Sequence, residues 1–244
     1  MQFSIITITF NSEIYIKETL QSVANQNFTD YEHIIWDGGS TDRTLSIAQE
    51  FPHIIIKQGI DSGISDAMNK GASFAKGKYL LHLHSDDSLD HPDVLSHVHH
   101  FLLQHPHAEW VYGLSHNVNH LGKTLSQSNF IPFSAEKLRK YNIISHPSTF
   151  LKNSLFQAAG GFNTETKYCM DYELWLRLAE MTPAQAMPFV VSRFREHEGS
   201  LSTGNQVAVA DEAYQVRNRF VKGLWERWRS YRTWKKRRAI AKAH

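Results

Sequence analysis

Apolar residues in the first two hundred positions fall into short runs, separated by polar stretches in which hydrophobic positions recur at helical spacing. That alternation predicts an α/β domain rather than an all-α or all-β one. Residues 3–10, 31–36, 54–56 and 79–83 read as four strands. After the first, Asn11-Ser12 opens a helix with Ile16, Leu20 and Val23 on one side. After the second, the turn Asp37-Gly38-Gly39-Ser40-Thr41-Asp42 leads into a helix that Ser40 or Thr41 can cap. Asp61-Ser62-Gly63 precedes a third helix through Ala67, Met68 and Ala72. The fourth strand is followed by a helix over 93–105, a strand over 110–114, and a polar stretch over 115–131 that reads as a hairpin or a mobile loop. A short strand over 147–151, a helix over 171–181 and a last strand over 189–194 complete the alternation.

The fourth strand carries the sharpest feature. Its apolar run ends in His84-Ser85-Asp86-Asp87, two adjacent carboxylates that repel each other unless a cation or a hydrogen-bond donor separates them. A second reading is an acidic turn capping the next helix, since Ser85, Asp87, Ser88 and Asp90 are all good caps. Asp37 and Asp61 also follow strands. In a parallel sheet these ends share one edge, where open α/β sheets bind ligands. Clustered acids there fit a divalent cation holding a diphosphate.

Composition narrows the classes. Hydrophobic residues make up 41% and charged residues 20%, as in an ordinary globular protein. Cys169 is the single cysteine, which excludes a disulfide framework or a multi-cysteine metal site. Neither Gly-x-Gly-x-x-Gly after the first strand nor a Walker-type phosphate loop occurs, which argues against dinucleotide redox chemistry and P-loop transfer. With no basic leader, cleavage signal or membrane-length apolar run, the expectation is a cytoplasmic protein, peripheral on the cytosolic face of the membrane.

The net charge of +2 conceals an asymmetry. From Arg217 onward there are eleven Lys/Arg and one acid, Glu226, leaving 15 bases against 23 acids before it. Residues 211–238 read as one long helix with Phe220, Val221, Leu224, Trp228 and Tyr231 on one face and Arg219, Lys222, Glu226 and Arg229 opposite. Trp225 and Trp234 fall outside that arc. A basic helix of this kind suits an anionic membrane surface, met through the stretch bounded by Arg217 and Lys242; it equally suits packing on the preceding domain. The acidic body argues against nucleic acid as a partner. The expected division is 1–204 as the catalytic domain and 205–244 as the helical tail.

The ordered set of motifs resembles glycosyltransferase family 2, with its GT-A nucleotide-sugar-binding fold. The matching pieces are Ile8-Thr9-Phe10-Asn11, Trp36-Asp37-Gly38-Gly39-Ser40-Thr41-Asp42, Asp61-Ser62-Gly63-Ile64-Ser65-Asp66-Ala67-Met68-Asn69-Lys70-Gly71 and His84-Ser85-Asp86-Asp87, then Gly160-Gly161-Phe162 and Met170-Asp171-Tyr172-Glu173-Leu174-Trp175. The resemblance implies an inverting transferase that moves a sugar from a nucleoside-diphosphate donor to a glycan or polyprenyl-linked acceptor. It implies nucleotide-sugar contacts from Thr9, Asn11, Asp37, Asp61, His84 and Asp86. It also implies a divalent cation, Mn²⁺ or Mg²⁺, held by Asp86 and Asp87 with His197 in reach, and Asp171 as the catalytic base. His84 stands where the family's Asp-x-Asp motif often has its first Asp, and Met170 replaces the Glu that usually precedes the base. His146 is a candidate acceptor contact. A sugar nucleotidyltransferase is the competing enzyme reading, disfavoured because residues 3–12 contain neither Gly nor Arg. A nucleotide-binding scaffold without turnover is the non-enzymatic one.

Overall fold

The computed structural model describes residues 1–197, 199, 205–221 and 223–241. Residues 200–204, which precede the expected boundary and include Leu201, and Lys222 and Lys242 lie outside the described residues. Four parallel strands lead: β1 (Phe3–Thr9), β2 (Tyr31–Asp37), β3 (Ile54–Gln58) and β4 (Tyr79–His82), connected by α1 (Ile16–Ala24), α2 (Thr44–Gln49) and α3 (Ile64–Ala72). Then come β5 (Ser88–Leu89), α4 (Val94–Gln104), β6 (Trp110–Val118), β7 (Thr124–Gln127), α5 (Ala135–Leu138), a 3-10 turn at His146–Ser148 and β8 (Thr149–Lys152). The rest is α6 (Asn153–Ala158), α7 (Met170–Met181), β9 (Gln185–Arg195), α8 (Gln206–Phe220) and α9 (Leu224–Ala241).

Among the described residues, nine strands form one sheet in the order β3-β2-β1-β4-β8-β6-β9-β5, with β7 paired to β6. Strand order reverses between β1 and β4, and the crevice beyond their carboxyl ends is where such sheets bind ligands. Both faces are covered, which is why β1 is buried almost throughout. Alternation along β4 divides its side chains: Tyr79, Leu81 and Leu83 join the core under α4, while Leu80 joins the core shared with α3 and α7. His82 faces that second side, against Phe156 and Phe162.

One element settles an alternative that the sequence left open, and two differ from the sequence reading. The stretch 115–131 is a hairpin: β6 continues to Val118, turns through Gly122 at φ +78°, and returns as β7. The last strand begins at Gln185, because a register shift beside β6 absorbs Pro188, whose missing N–H disfavours a regular strand. The strand expected over 147–151 starts at Thr149, after the 3-10 turn.

The tail is two helices, not one. Arg217 lies buried and donates from Nε to Ser230 Oγ at 2.8 Å, and to the carbonyls of Ser230 and Lys140 at 3.0 and 2.8 Å. Tyr214 stacks on Trp234, which donates to Asp211; Asp211 also pairs with Arg238. These pairings run antiparallel, so α8, ending at Phe220, and α9, starting at Leu224, form a hairpin. Val216 is buried in the core beside α7, with Val209, Ala213 and Phe220 against it. Arg217, expected at the membrane-facing end, is thus an internal clamp. Burial lowers the pKa of its guanidinium. Arg217→Met should destabilise the protein by about 2–3 kcal/mol in urea unfolding, because two buried carbonyls and a hydroxyl lose their donor.

Candidate functional site

The second strand ends in a fully buried carboxylate. Asp37 Oδ2 accepts from Thr9 Oγ1 at 3.0 Å and Ser40 Oγ at 2.5 Å, and Oδ1 accepts from the N–H groups of Gly39 and Ser40. Asp37 therefore builds the turn that follows it. Asn11, with φ +50°, ties the loop after β1 to the same turn: its Oδ1 accepts from the Thr41 N–H, and its own N–H donates to Ser40 Oγ. Asp61 takes the Trp36 indole N–H at 3.0 Å and lies so close to Gly38 that a Cβ there would meet Oδ2 at 2.7 Å. Thr9, Asn11, Asp37 and Asp61 thus share one wall of the crevice.

The β4 end supplies the other wall. Ser85 Oγ bridges to Ser12 Oγ at 2.9 Å, and Thr19 Oγ1 donates to the carbonyls of Ser85 and Asp87. Asp86 and Asp87 point different ways. Asp87 is buried and accepts the Arg195 backbone N–H at 3.0 Å; burial, then the charge of Asp86, raise its pKa well above the usual carboxylate range. Asp86 Oδ2 lies 2.9 Å from His197 Nε2, and His197 rests on the Tyr15 ring. Arg195 stitches the wall together. Its guanidinium donates to the Asp86, Asn119 and His120 carbonyls, pairs with Glu18 at 2.5 Å and covers Tyr15.

One ligand atom from each of His84, Asp86 and Asp87 lies within 4.8 Å of the others. His84 Nε2 is buried without a hydrogen-bond partner, and burial lowers the pKa of the ring, opposed by Asp86. A neutral imidazole with two carboxylates is a donor set that suits Mn²⁺.

Asp171 stands in the first turn of α7, where its Oδ2 accepts from Asn142 Nδ2 at 3.2 Å and its Oδ1 from the Tyr172 N–H at 2.7 Å. Burial pushes its pKa up to about 6, against the lowering effect of those hydrogen bonds. Asp171 and His146 line the same open cleft of about 380 Å³, together with Ser115, Asn117 and Asn142. A larger depression of about 540 Å³ between α1 and residues 88–92 contains none of the strand-end acids discussed above. Beneath the cleft, His146 packs 4.9 Å from His84 and 6.1 Å from Trp175. Both His146 ring nitrogens, His82 Nε2 and Trp175 Nε1 are buried without partners. The sequence reading missed Glu212 on α8, which accepts the N–H groups of Lys167, Tyr168 and Cys169 at 2.8, 2.6 and 2.7 Å. That carboxylate holds the segment leading into Asp171. No local motif marks it, because its partners lie more than forty residues away.

A doubly covered sheet with acids at its switch point, and a separate cleft lined by Asp171, fits the GT-A architecture of nucleotide-sugar transferases. The family model for glycosyl transferase family 2 matches residues 4–156, and the chain belongs to that family of glycosyltransferases. It is 33% identical over 212 residues to a PGL/p-HBAD biosynthesis glycosyltransferase of Mycobacterium tuberculosis, covering 82% of this chain and 79% of that one. It is also 33% identical over 183 residues to the hyaluronan synthase of Pasteurella multocida, covering 73% of this chain but 19% of that longer protein. Among solved structures, S. aureus TarS with UDP-GlcNAc superposes with a TM-score of 0.75 at 21% identity, covering 97% of this chain and 71% of that one. Mannosyltransferase PcManGT from Pyrobaculum calidifontis, with GDP-Man and Mn²⁺, gives 0.67 at 18% identity, covering 99% and 75%.

Burial of Asp171 has a measurable consequence. Its folded pKa of about 6 lies above the ordinary value, so the native state binds the extra proton and the contribution of Asp171 to stability falls as pH rises from about 4 to 6. Asp171→Asn should therefore be more stable than wild type at pH 8, by roughly 1–3 kcal/mol, with the difference closing near pH 4. Urea unfolding at the two pH values measures it.

Proposed function

We propose that this enzyme catalyses inverting transfer from a nucleoside-diphosphate sugar to a hydroxyl of a glycan or lipid-linked acceptor, working at the cytosolic face of the membrane in cell-surface glycan synthesis. The observation that carries the reading is the division of carboxylates. Asp86 and Asp87 sit at the sheet's switch point, while Asp171, with its raised pKa, faces a separate cleft with His146. A nucleotide would lie against Thr9, Asn11, Asp37 and Asp61, with its diphosphate towards His84 and Asp86. Asp86, with Asp87 and His84 beside it and His197 in reach, would hold Mn²⁺ or Mg²⁺, which when bound stabilises negative charge on the departing diphosphate.

Asp171 then removes the acceptor proton. The acceptor oxygen attacks the anomeric carbon as the bond to the diphosphate oxygen breaks, and a single displacement inverts the configuration. A base with a pKa near the working pH suits this step. Asn142 holds the carboxyl from one side, and Glu212 braces the backbone that leads into it. His146 is the one of these residues that lines the cleft, and its ring nitrogens have no partner within the protein, which supports it as a contact for the acceptor. Nucleotide sugars in the TarS and PcManGT complexes, and the hyaluronan synthase relative, support the donor and a glycan acceptor. In this reading residues 1–204 carry the chemistry, and the tail braces it.

The test is release of nucleoside diphosphate from UDP-, GDP- and dTDP-sugars with Mn²⁺ or Mg²⁺, and the anomeric configuration of the product by NMR. Asp171→Asn should lower kcat by about 10²–10⁴-fold. Because Asp171 acts ionised, the wild-type rate should fall with decreasing pH below about 6, and the variant should lack that limb. Full turnover by Asp171→Asn, or a product of retained configuration, would overturn the mechanism.

A further inference from the structure

Hydrogen bonding within the tail hairpin decides which side of α9 is free. Ser230 is buried under Arg217, and Trp234 and Arg238 turn inward to Asp211 on α8. The opposite side carries Leu224, Trp225 and Trp228, which are 87%, 62% and 45% exposed. This differs from the arc expected for a single helix: Val221 is buried, and Trp225 joins the outer face. Trp225 and Trp228 stack with ring centroids 4.8 Å apart, Arg229 covers Trp225, and Arg232 covers Trp228. Lys235 and Lys236 continue the exposed face towards the C-terminus.

Large apolar side chains exposed to water on a helix call for a partner. Two features identify its chemistry. Tryptophans flanked by arginines and lysines on one side of a surface helix suit the headgroup layer of a bilayer, where the ring enters the apolar boundary and the bases meet lipid phosphates. No helix among the described residues is long and apolar enough to cross a membrane, so α9 would lie on the surface rather than span it. Charge then sets the orientation. Residues before 217 hold 15 bases against 23 acids, so an anionic surface repels the body and attracts the tail.

We propose that the outer face of α9, centred on Trp225, Trp228, Arg232, Lys235 and Lys236, docks the enzyme on an anionic lipid surface. Through the α8–α9 hairpin the docked helix is joined to Glu212, which holds the backbone before Asp171. Docking would thus place the cleft lined by Asp171 one helical hairpin from the lipid. The inference concerns where the enzyme sits and does not depend on the chemistry assigned to Asp171.

Flotation of the full-length protein with vesicles of phosphatidylcholine alone, and of phosphatidylcholine mixed with phosphatidylglycerol, tests it at low and high salt. Wild type should partition at least about tenfold more strongly onto the anionic vesicles, less so at high salt. Trp225→Ser/Trp228→Ser should lose about tenfold of that binding, and Arg232→Glu/Lys235→Glu/Lys236→Glu more. Both variants should keep the wild-type midpoint of urea unfolding, showing that the fold is intact. Failure of wild type to float with anionic vesicles would overturn the proposal. So would equal flotation of wild type and the tryptophan variant, which would leave only nonspecific attraction between bases and a polyanion.

Discussion

Two adjacent carboxylates at the end of a buried strand cannot share one direction without a counter-charge, and much of the structure follows from how Asp86 and Asp87 are separated. Asp87 turns into the protein, onto the backbone N–H of Arg195; Asp86 turns out, onto His197. Holding that arrangement recruits distant parts of the chain. Arg195 arrives at the end of β9 and fastens the Asp86 carbonyl, the β6–β7 turn and Glu18 of α1 together. Thr19 secures the same loop from α1. With the inner acid fixed, Asp86 stays partly exposed at the sheet's switch point, with a ligand atom of His84 within 4.8 Å.

The Asp171 side of the molecule depends on the tail in a comparable way. Asp171 lies at a helix start whose approach is held by Glu212, and Arg217 anchors the hairpin that carries Glu212. A carboxyl group kept partly out of water has a raised pKa, which costs folding stability at neutral pH and suits proton removal. The C-terminal helices are therefore joined to the site by hydrogen bonds as well as by packing. In the proposed account they relate the lipid surface to the acceptor cleft.

Much of the fold was legible because parallel strands buried on both faces leave continuous apolar runs, as in residues 3–10 and 79–83. Runs that end in Asp37, Asp61 and Asp86 indicate a shared edge before any coordinates are known. What could not be read were contacts between segments far apart in sequence: Arg195 with Asp86, Glu212 with Cys169, and Arg217 with Lys140. Pro188 hid the first half of β9, because a proline argues against a regular strand and the bulge that accommodates it has no local signal. Gly223 alone did not mark the break between α8 and α9, since a lone glycine is tolerated within helices. The outer face of α9 is set by the burial of Ser230 beneath Arg217, a contact between positions thirteen residues apart.

The central claim is that the acid cluster at the β4 end binds a nucleoside diphosphate through a divalent cation. Calorimetric titration of UDP and of GDP into wild type and Asp86→Asn, each with and without Mn²⁺, tests it most directly. The account predicts that Mn²⁺ strengthens binding of one of the two nucleotides to wild type by at least about tenfold, and that Asp86→Asn loses this gain while keeping the weak cation-independent binding. Binding to wild type that is indifferent to Mn²⁺, or an equal gain in Asp86→Asn, would contradict it.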